Sequence, residues 1–412
     1  MIFDPKVDKT KYAQPRKKVV LAFSGGLDTS YAAIYLAKEQ GLEVHAALAD
    51  TGGFSAEELA KIEQRAKALG VASYVRLDVS HRYYDDTIRY MIFGNVLKNG
   101  TYPISVSSER ISQATAIGEY AVEMGADYIC HGSTGAGNDQ VRFDMVFNYI
   151  APGIEVIALI RDQALTRQQE IDYLRSHGVD FDFVKAEYSI NQGIWGTSVG
   201  GKETLTSSKT LPEHAYPSQM TATEPRTITL TFDKGEMTAI NGTVYGDRVK
   251  AIQELQKIAA PYAIGRDMHV GDTIIGIKGR VGFEAAAPIL IIKAHHLLEK
   301  HTLTKWQLFW KDQIAGFYGN FLHEGQYFDQ VMRDMEAMLL SSQKNVSGDV
   351  IIELHPYRYV LVGIESKHDL MSSKFGAYGE VMDGWDGKDV EGFGKIYNNQ
   401  NVIYKAVNED NN

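Results

Sequence analysis

The chain has 412 residues, 44% of them apolar, a composition typical of globular proteins and a length that predicts two or three domains. Its formal net charge of -10, from 42 basic and 52 acidic residues, argues against a large nucleic-acid footprint, because phosphate binding requires clustered Lys and Arg. The single cysteine, Cys130, excludes an internal disulfide and a zinc site built from paired thiols.

The segment MIFDPKVDKTKYAQPRKK at the N-terminus mixes charges with prolines and lacks the apolar centre of a signal peptide. No uninterrupted apolar run approaches the roughly 20 residues that span a bilayer. We therefore expect a cytoplasmic protein with small-molecule substrates, no membrane partner and no nucleic-acid partner.

Strand and helix signals alternate in the first part of the chain. Strands are predicted at 18–23, 43–50, 73–79, 126–132 and 154–160, and helices near 28–40 and 55–69. Such alternation predicts a doubly wound α/β fold, in which a parallel sheet has helices on both faces. Ligands of these folds bind beyond the carboxyl ends of the strands.

The pattern changes near residue 165. We predict a nucleotide-binding domain at 17–165, an α+β domain at 166–366 and a C-terminal arm at 367–412. The second domain is expected to contain a helix at 166–178, long loops at 186–225, strands at 226–245, helices near 248–260, 289–303 and 325–342, and a hairpin at 349–366. The arm is rich in Gly, Asp and Asn with scattered aromatic residues, which indicates a segment that packs on another subunit.

The stretch VLAFSGGLDTS, residues 20–30, marks the point where a buried strand leads into a helix. Its glycines allow the backbone to approach an anion, and the free N–H groups of the helix N-terminus favour negative charge. The hydroxyls of Ser24, Thr29 and Ser30 add donors. On these residues alone, an ordinary turn with a Ser or Asp helix cap and a phosphate cradle are equally compatible.

Two familiar phosphate loops are excluded by spacing. The stretch lacks the Lys of G-x-x-x-x-G-K-[ST] and the glycine spacing of G-x-G-x-x-G. A second stretch, GTSVGGKET at 196–204, has the P-loop glycines and lysine. However, Glu203 replaces the required hydroxyl and no apolar strand precedes it, so we do not interpret it as a P-loop.

The stretch HGSTGAGNDQVRF, residues 131–143, combines an anion-binding nest with polar groups. The glycines of the nest are Gly132, Gly135 and Gly137, and the polar residues are Thr134, Asn138, Asp139 and Arg142. This mixture fits a zwitterionic amino acid, since Asp139 can accept from an ammonium and Arg142 can pair with a carboxylate. The alternative is a glycine-rich loop capped by Asn138 at the start of a helix.

SGGLDTS resembles the pyrophosphate loop of the N-type ATP pyrophosphatases, which split ATP between its α and β phosphates. Together with HGSTGAGNDQVRF, YSINQGIWGTSVGG and GRDMHVGDTIIGIKGR, it closely resembles the argininosuccinate synthase family over nearly the whole chain. The resemblance implies a Rossmann-like nucleotide domain followed by a synthetase domain. It also implies a carbon–nitrogen ligase of arginine biosynthesis that joins citrulline and aspartate through citrullyl-AMP, with ATP as co-substrate, Mg2+ on the phosphates and a homotetrameric assembly.

The resemblance also implies the site residues, by position. ATP would contact Ala22, Phe23, Ser24, Gly25, Gly26, Leu27, Asp28, Thr29, Ser30, the backbone of Ala49, and Gly132. Aspartate would contact Thr134, Asn138 and Asp139. Citrulline would contact Tyr102, Ser107, Asn138, Arg142, Ser189, Ser198, Gly271 and Phe283. Among these, Asp28, Asp139 and Arg142 are the expected catalytic residues, with Asp28 on the metal side or capping the helix; no dedicated protein metal site is expected.

The chain departs from the family pattern in the citrulline pocket. Many members have Gly-Thr-Ser-Leu-Ala-Arg where this chain has SVSSER at 105–110, and a Glu and a Tyr where it has Gly271 and Phe283. Adjacency suggests Asp272 or Glu284 as a replacement carboxylate. Two other functions stay open: another adenylating ligase, such as a tRNA-modifying enzyme, and an ATP-binding regulator without catalysis.

Two clusters outside these motifs receive structural interpretations. The histidines at 295, 296 and 301 lie beside apolar residues without an acid or thiol cluster, which favours a structural role over a metal site. Trp306, Phe309 and Trp310 recur at helical spacing, which predicts core or subunit-interface positions.

Overall fold

A computed structural model describes residues 16–135, 137–179, 188–372, 376, 378–380 and 382–409. The expectations for the N-terminal segment before residue 16 and for the last three residues lie outside these ranges. Within the described part of the chain, no helix is long and apolar enough to cross a membrane.

The first part of the chain forms a five-stranded parallel sheet in the order β3-β2-β1-β4-β5. Its strands are β1 (Lys18–Ala22), β2 (Glu43–Asp50), β3 (Ser73–Asp78), β4 (Tyr128–Cys130) and β5 (Glu155–Ile157). The apolar run of β1 is fully buried because helices cover both faces of the sheet. The predicted doubly wound α/β class is confirmed.

The helices of this part are α1 (Leu27–Lys38), α2 (Ala56–Ala68), α3 (Ser80–Tyr83), α4 (Arg89–Phe93), α5 (Ser105–Glu123), α6 (Asp139–Ile150), α7 (Leu159–Gln163) and α8 (Arg167–Ser176), with a π-helical turn at Tyr84–Ile88. Helix α8 packs on α1, and Leu174 belongs to the core between α1 and the sheet. The boundary predicted at residue 165 therefore falls before a helix that packs with the first domain.

The second part contains two antiparallel sheets. One has the order β11-β12-β7-β6, from β6 (Ser189–Gly193), β7 (Gly196–Gly200), β11 (Arg266–Asp272) and β12 (Lys278–Glu284). The other has the order β10-β9-β8-β13-β14, from β8 (Arg226–Asp233), β9 (Glu236–Ile240), β10 (Thr243–Val244), β13 (Gly348–His355) and β14 (Arg358–Glu365). The predicted hairpin is β13–β14, and the strand signal at 226–245 divides into three strands.

Helices fill the space between these sheets and form the C-terminal arm. They are α9 (Arg248–Ala259), α10 (Ala286–Thr302), α11 (Lys305–His323), α12 (Gln330–Ser342), α13 (Gly387–Tyr397) and α14 (Asn399–Glu409). Short 3-10 turns lie at Lys202–Leu205, Glu213–Ala215, Ala260–Tyr262, Gln343–Asn345 and Leu370–Ser372. The α+β description of the second part is confirmed, and one core cluster joins α5 of the first part to α10 of the second.

The aromatic cluster on α11 does not lie in the core of this chain. Trp306 is 60% exposed and Trp310 is 56% exposed, and Phe309 lies on the same exposed surface. The core interpretation is therefore wrong, and the subunit-interface interpretation stays a prediction. His295, in contrast, is fully buried and bonded to Asn95 and Gln343, as expected for a structural histidine.

Candidate active site

The loop between β1 and α1 leaves the first turn of α1 without a side-chain cap. Gly26 occupies the N-cap position, and no side chain caps its helix. The hydroxyl of Ser24 accepts from the Gly26 N–H at 3.3 Å, and Ser30 Oγ donates to the Gly26 carbonyl at 2.6 Å. The uncapped N–H groups of α1 and the exposed Ser24 are thus available to an anion, which favours the phosphate cradle over the capped turn.

Gly25 is fixed in a conformation that suits glycine. Its φ is +74°, and a Cβ at this position would lie 3.2 Å from Ile62. Its carbonyl accepts a hydrogen bond from the guanidinium of Arg65. The sharp turn therefore has both a backbone reason for glycine and an anchor on α2.

Asp28 lies in the first turn of α1, and its carboxyl group hydrogen-bonds Glu170 of α8. Burial and then the charge of Asp28 raise the pKa of Glu170 to about 8, and burial raises the pKa of Asp28 as well. At neutral pH Glu170 therefore holds a proton and donates to the Asp28 carboxylate. The helix-capping and metal-side options for Asp28 both stay predictions.

The ends of β2 and β4 lie beside this loop. A Cβ on Gly132, after β4, would lie 3.2 Å from Asp28 Cβ and 3.1 Å from the methyl group of Thr29. The Ala49 carbonyl, near the end of β2, is 3.5 Å from Gln113 Nε2. The adjacency of Gly132 to the first turn of α1 agrees with the expected common ATP surface.

The second loop, residues 131–138, leads into α6, and the charged residues Asp139 and Arg142 at the start of this helix are paired with each other. Asp139 Oδ1 lies 2.6 Å from Arg142 Nη1, and its Oδ2 lies 3.0 Å from Arg110 Nε. Burial alone would raise the pKa of Asp139, but the two guanidinium groups hold it below its usual value. The Asn138 amide oxygen accepts from the Ile274 N–H at 2.8 Å, so Asn138 joins this loop to the β11–β12 hairpin. Thr134 is exposed.

Arg142 does not have a free guanidinium for a substrate carboxylate. Besides Asp139, its Nε donates to the His323 carbonyl at 2.8 Å, and its Nη2 lies 3.4 Å from His323 Nδ1. His323 Nδ1 in turn lies 3.1 Å from Ser107 Oγ. Arg142 thus fixes Asp139 and His323 at the cavity wall, and its direct pairing with a substrate carboxylate stays a prediction.

Arg110 connects the two loops and was absent from the sequence-based site residues. Besides Asp139, it donates to Glu109 Oε1 at 2.8 Å, Gln113 Oε1 at 2.8 Å and Asn191 Oδ1 at 3.0 Å. The sequence offered one signal for it, since Arg110 is the arginine kept in SVSSER. Its role depends on partners from separate segments, which the sequence could not bring together.

Glu109 is a buried acid beside this arginine. It accepts from Thr51 Oγ1 at 3.0 Å, and a Cβ on Gly193 would collide with its Oε2. Burial raises its pKa to about 7, although Arg110 and Thr51 oppose the shift.

A cavity of about 210 Å³ opens between α5, α6 and the β11–β12 hairpin. Its lining residues are Tyr102, Val106, Ser107, Asn138, Arg142, Ser198, His269, Gly271, Asp272, Thr273, Gly279, Arg280, Val281 and His323. Six of the eight residues expected to bind citrulline are among them. Ser189 and Phe283 are the two that do not line it; the ring of Phe283 packs 5.4 Å from that of Tyr102.

Sheet register explains which side chains face the cavity. Directly paired residues on neighbouring strands share a face, so His269 and Val281, Gly271 and Gly279, and Phe283 and Ser198 form three such pairs. Because side chains alternate along a strand, residues 269 and 271 face the same side. The same alternation turns Glu284 away from the cavity.

Family models match nearly the whole chain. The arginosuccinate synthase N-terminal HUP domain matches residues 18–180, and the arginosuccinate synthase C-terminal domain matches residues 188–404. The chain belongs to the argininosuccinate synthase family. Members of this family are ligases, and membership implies ATP as co-substrate and small-molecule substrates.

Curated relatives agree over almost their full length. An argininosuccinate synthase of Xylella fastidiosa is 35% identical, covering 95% of this chain and 98% of the relative. One of Xanthomonas campestris is 36% identical, covering 95% and 99%, and one of the archaeon Methanocaldococcus jannaschii is 33% identical, covering 94% and 97%. The resemblance seen in the motifs is thus confirmed along the chain.

Neither candidate for the family's missing carboxylate supplies one to the cavity. Glu284 binds Arg266 Nε at 2.9 Å and the hydroxyl of Ser218, on the far side of the sheet. Asp272 lies at the cavity edge, but its carboxylate is exposed and pairs with Lys278 Nζ at 2.6 Å. The expectation for Glu284 is wrong, and the Asp272 carboxylate forms an exposed ion pair with Lys278 at the cavity edge.

Two histidines were missed by sequence reasoning. His269 stacks on Tyr102 with ring centroids 5.0 Å apart, and burial, with the charge of Lys98, lowers its pKa to about 4. Burial, then the charges of Arg142 and Lys98, lower the pKa of His323 to about 3. Both rings are therefore neutral at physiological pH. His269 lies in the quoted GRDMHVGD motif, but only the register of β11 identifies it as a lining residue.

Two further kinds of site were considered in the sequence, a P-loop at 196–204 and a metal site. The stretch at 196–204 forms β7 and a 3-10 turn, so the glycines do not join a strand to an α-helix as a P-loop requires. Among the described residues, no group of three or more His, Cys, Asp or Glu side chains could hold a metal ion.

Proposed function

We propose that this chain uses ATP to join citrulline to aspartate, giving argininosuccinate, AMP and pyrophosphate. The observation that carries the proposal is the position of the second loop. It touches the uncapped N-terminus of α1 through Gly132 and lines the cavity through Asn138 and Arg142. A nucleotide phosphate and a ureido substrate can therefore lie on the two sides of one loop.

The phosphate side would bind ATP through the backbone of residues 24–30 and the hydroxyl of Ser24. Asp28 fits a role beside a magnesium ion, because Mg2+ prefers oxygen ligands and is usually held by one or two carboxylates together with substrate phosphates. When bound, the ion would neutralise charge on the leaving pyrophosphate.

Two steps make up the proposed reaction. The ureido oxygen of citrulline attacks the α-phosphorus of ATP, and pyrophosphate leaves. The aspartate amine then attacks the ureido carbon, loses a proton, and AMP leaves with the former ureido oxygen. The first step makes that carbon electrophilic, so no covalent enzyme intermediate is needed, and the protein acts by positioning and charge stabilisation.

Asp139 is suited to orient the aspartate amine. Its pKa lies below the usual value, so the carboxylate is ionised and can accept from an ammonium group. Arg110 and Arg142 fix it from two sides, and Arg110 also binds Asn191 on β6. In this proposal, Asp139 touches substrate, while Arg110 and Arg142 are positioning residues.

Pyrophosphate release tests the function directly. The purified chain is incubated with ATP and Mg2+ while citrulline and aspartate are added singly and together, and the products are identified by mass spectrometry. We expect argininosuccinate and stoichiometric AMP only with both amino acids. Release that needs neither amino acid, or no reaction with both, would refute the proposal and favour an ATP-binding regulator.

A variant at Arg142 separates the two sides of the loop. Arg142→Ala is expected to lower kcat/KM for both amino acids at least about tenfold, because Asp139 loses a charged partner worth roughly 1.5–3 kcal/mol. Affinity for ATP should change less than threefold. The control is Arg82→Ala, an exposed arginine paired with Glu119. Equal loss of ATP affinity would instead assign the second loop to the nucleotide.

We further propose a homotetramer that acts in the cytoplasm. Exposed apolar side chains on the arm, among them Phe393, Ile396 and Tyr397, and the exposed Trp306 and Trp310 of α11 support contacts between subunits. Light scattering measures the mass directly. Removal of residues 387–412 should lower it, and an unchanged tetramer would exclude the arm from assembly.

A further inference from the structure

The cavity wall formed by β11 presents nitrogen atoms beside the position of Gly271. Gly271 has no side chain, and the ring of His269 occupies the adjoining space. His269 Nε2 lies 2.6 Å from the point where a Cβ on residue 271 would stand. Asn99 Nδ2 lies 3.5 Å from the same point. A side chain at 271 and the present His269 rotamer are thus mutually exclusive.

Three acidic groups near this wall have cationic neighbours. Asp139 lies between Arg110 and Arg142, and Asp272 pairs with Lys278. Glu324 interacts with the ammonium of Lys98, which donates to Asn320 Oδ1 at 3.0 Å. An ammonium group on a substrate would find hydroxyl and carbonyl oxygens here, but no unpaired carboxylate among the described residues lining the cavity.

The tautomer of His269 follows from its surroundings. Its Nδ1 is buried and has no hydrogen-bond partner. An N–H group without an acceptor is rarer in folded proteins than an unpaired acceptor, so the neutral ring should carry its proton on Nε2. That proton points to the space beside residue 271, where it can be donated to a substrate oxygen.

We propose that this site accepts, besides citrulline, ureido amino acids whose α-nitrogen is acylated. The inference rests on the proposed ligase function and names the substrate class of the same cavity. The acyl carbonyl oxygen accepts from His269 Nε2–H, and acylation removes the positive charge for which the wall has no free carboxylate. Burying such an unpaired ammonium would be costly.

Acylation does not change the reaction balance, because the α-nitrogen takes no part in it. The ureido oxygen still displaces pyrophosphate from ATP, and the aspartate amine still displaces AMP with loss of a proton. The product is the Nα-acyl derivative of argininosuccinate. No co-reactant beyond ATP and aspartate is needed.

The test compares two substrates on the full chain. Steady-state kinetics are measured with ATP, Mg2+, aspartate and either citrulline or Nα-acetylcitrulline, and each product is confirmed by mass. We expect kcat/KM for the acetyl compound to equal or exceed one tenth of that for citrulline. A lower value would overturn the inference and leave the ligase function intact, whereas no product from either compound would refute the ligase function itself.

Variants test the role of His269. His269→Phe keeps the ring stacked on Tyr102 but removes the donor, so KM for the acetyl compound should rise about three- to tenfold, as expected for one neutral hydrogen bond. KM for ATP and aspartate should stay within twofold. The matched control is His81→Phe, an exposed histidine that pairs with Asp247. An unchanged KM in His269→Phe would contradict the proposed contact.

A second variant restores a carboxylate. The double variant His269→Ala with Gly271→Glu removes the ring and places an acid beside the cavity. We expect the preference for the acetyl compound over citrulline to fall at least tenfold. Calorimetric binding of each compound without ATP provides the same comparison if turnover is lost. An unchanged preference by both measurements would refute the role of this wall in selection.

Discussion

Replacing Glu109 by glutamine is expected to alter how stability depends on pH. Glu109 is 2% exposed, and burial raises its pKa from 4.5 to about 7. Between roughly pH 4.5 and 7, Glu109 therefore keeps its proton in the folded protein, whereas it has lost this proton in the unfolded chain. The contribution of Glu109 to the free energy of unfolding is fully present below pH 4.5. It is lost as the pH rises from about 4.5 to about 7.

The size of the effect follows from the two pKa values. A tenfold difference in proton affinity corresponds to about 1.4 kcal/mol, so ionisation of Glu109 costs the folded state about 3 kcal/mol in full. About 2.5 kcal/mol of this arises between pH 5 and 8. A glutamine at this position has no proton to lose, and its amide can keep hydrogen bonds with Thr51 and Arg110.

Thermal unfolding at pH 5 and 8 measures the difference. On raising the pH, wild type should lose about 3 °C more in melting temperature than Glu109→Gln, given the size of the chain. Glu119→Gln, an exposed glutamate paired with Arg82, serves as the control and should behave as wild type. The same pH response in wild type and Glu109→Gln would refute the reasoning, because it would mean that Glu109 ionises equally in both states.

Three further predictions address the cradle, the core and the assembly. Gly25→Ala should weaken binding of an ATP analogue in calorimetry about tenfold, because φ is +74° there; wild-type affinity would contradict the cradle. Lys311→Met leaves Glu299 buried without its 2.9 Å partner and should cost about 3–5 kcal/mol in chemical unfolding. Adding Glu299→Gln should recover part of this loss, and no recovery would refute the uncompensated-charge explanation. Trp306→Ser with Trp310→Ser should reduce the oligomer mass in light scattering without changing the circular dichroism; an unchanged mass would exclude this surface.

The sequence predicted the parts of the site that are formed by consecutive residues within one short segment. Glycines after an apolar strand indicated a loop that approaches an anion, and the structure gives Gly25 a positive φ and leaves α1 uncapped. Motifs also identified six residues that line the cavity. The sequence could not predict which charges are already neutralised, because Arg142 pairs with Asp139 through a helical turn and with His323 through a distant segment.

The sequence-based predictions were wrong where the side chains of adjacent residues point to opposite faces of an element. Glu284 adjoins Phe283, yet strand alternation turns its carboxylate to Arg266 on the other face. Trp306 and Trp310 have helical spacing, which shows a shared face but not whether that face is covered.

The sequence by itself determined the alternating α/β fold, the two loops and the family, because these depend on periodicity and on ordered motifs within short segments. Only the tertiary structure decided which side chains are ionised and which of them have no ion-pair partner within the chain. Burial raises the pKa of Glu109 and lowers that of His269, and the β11–β12 register places His269 beside the empty position at Gly271. Such properties depend on atoms brought together from distant segments, so they exist only in the folded chain.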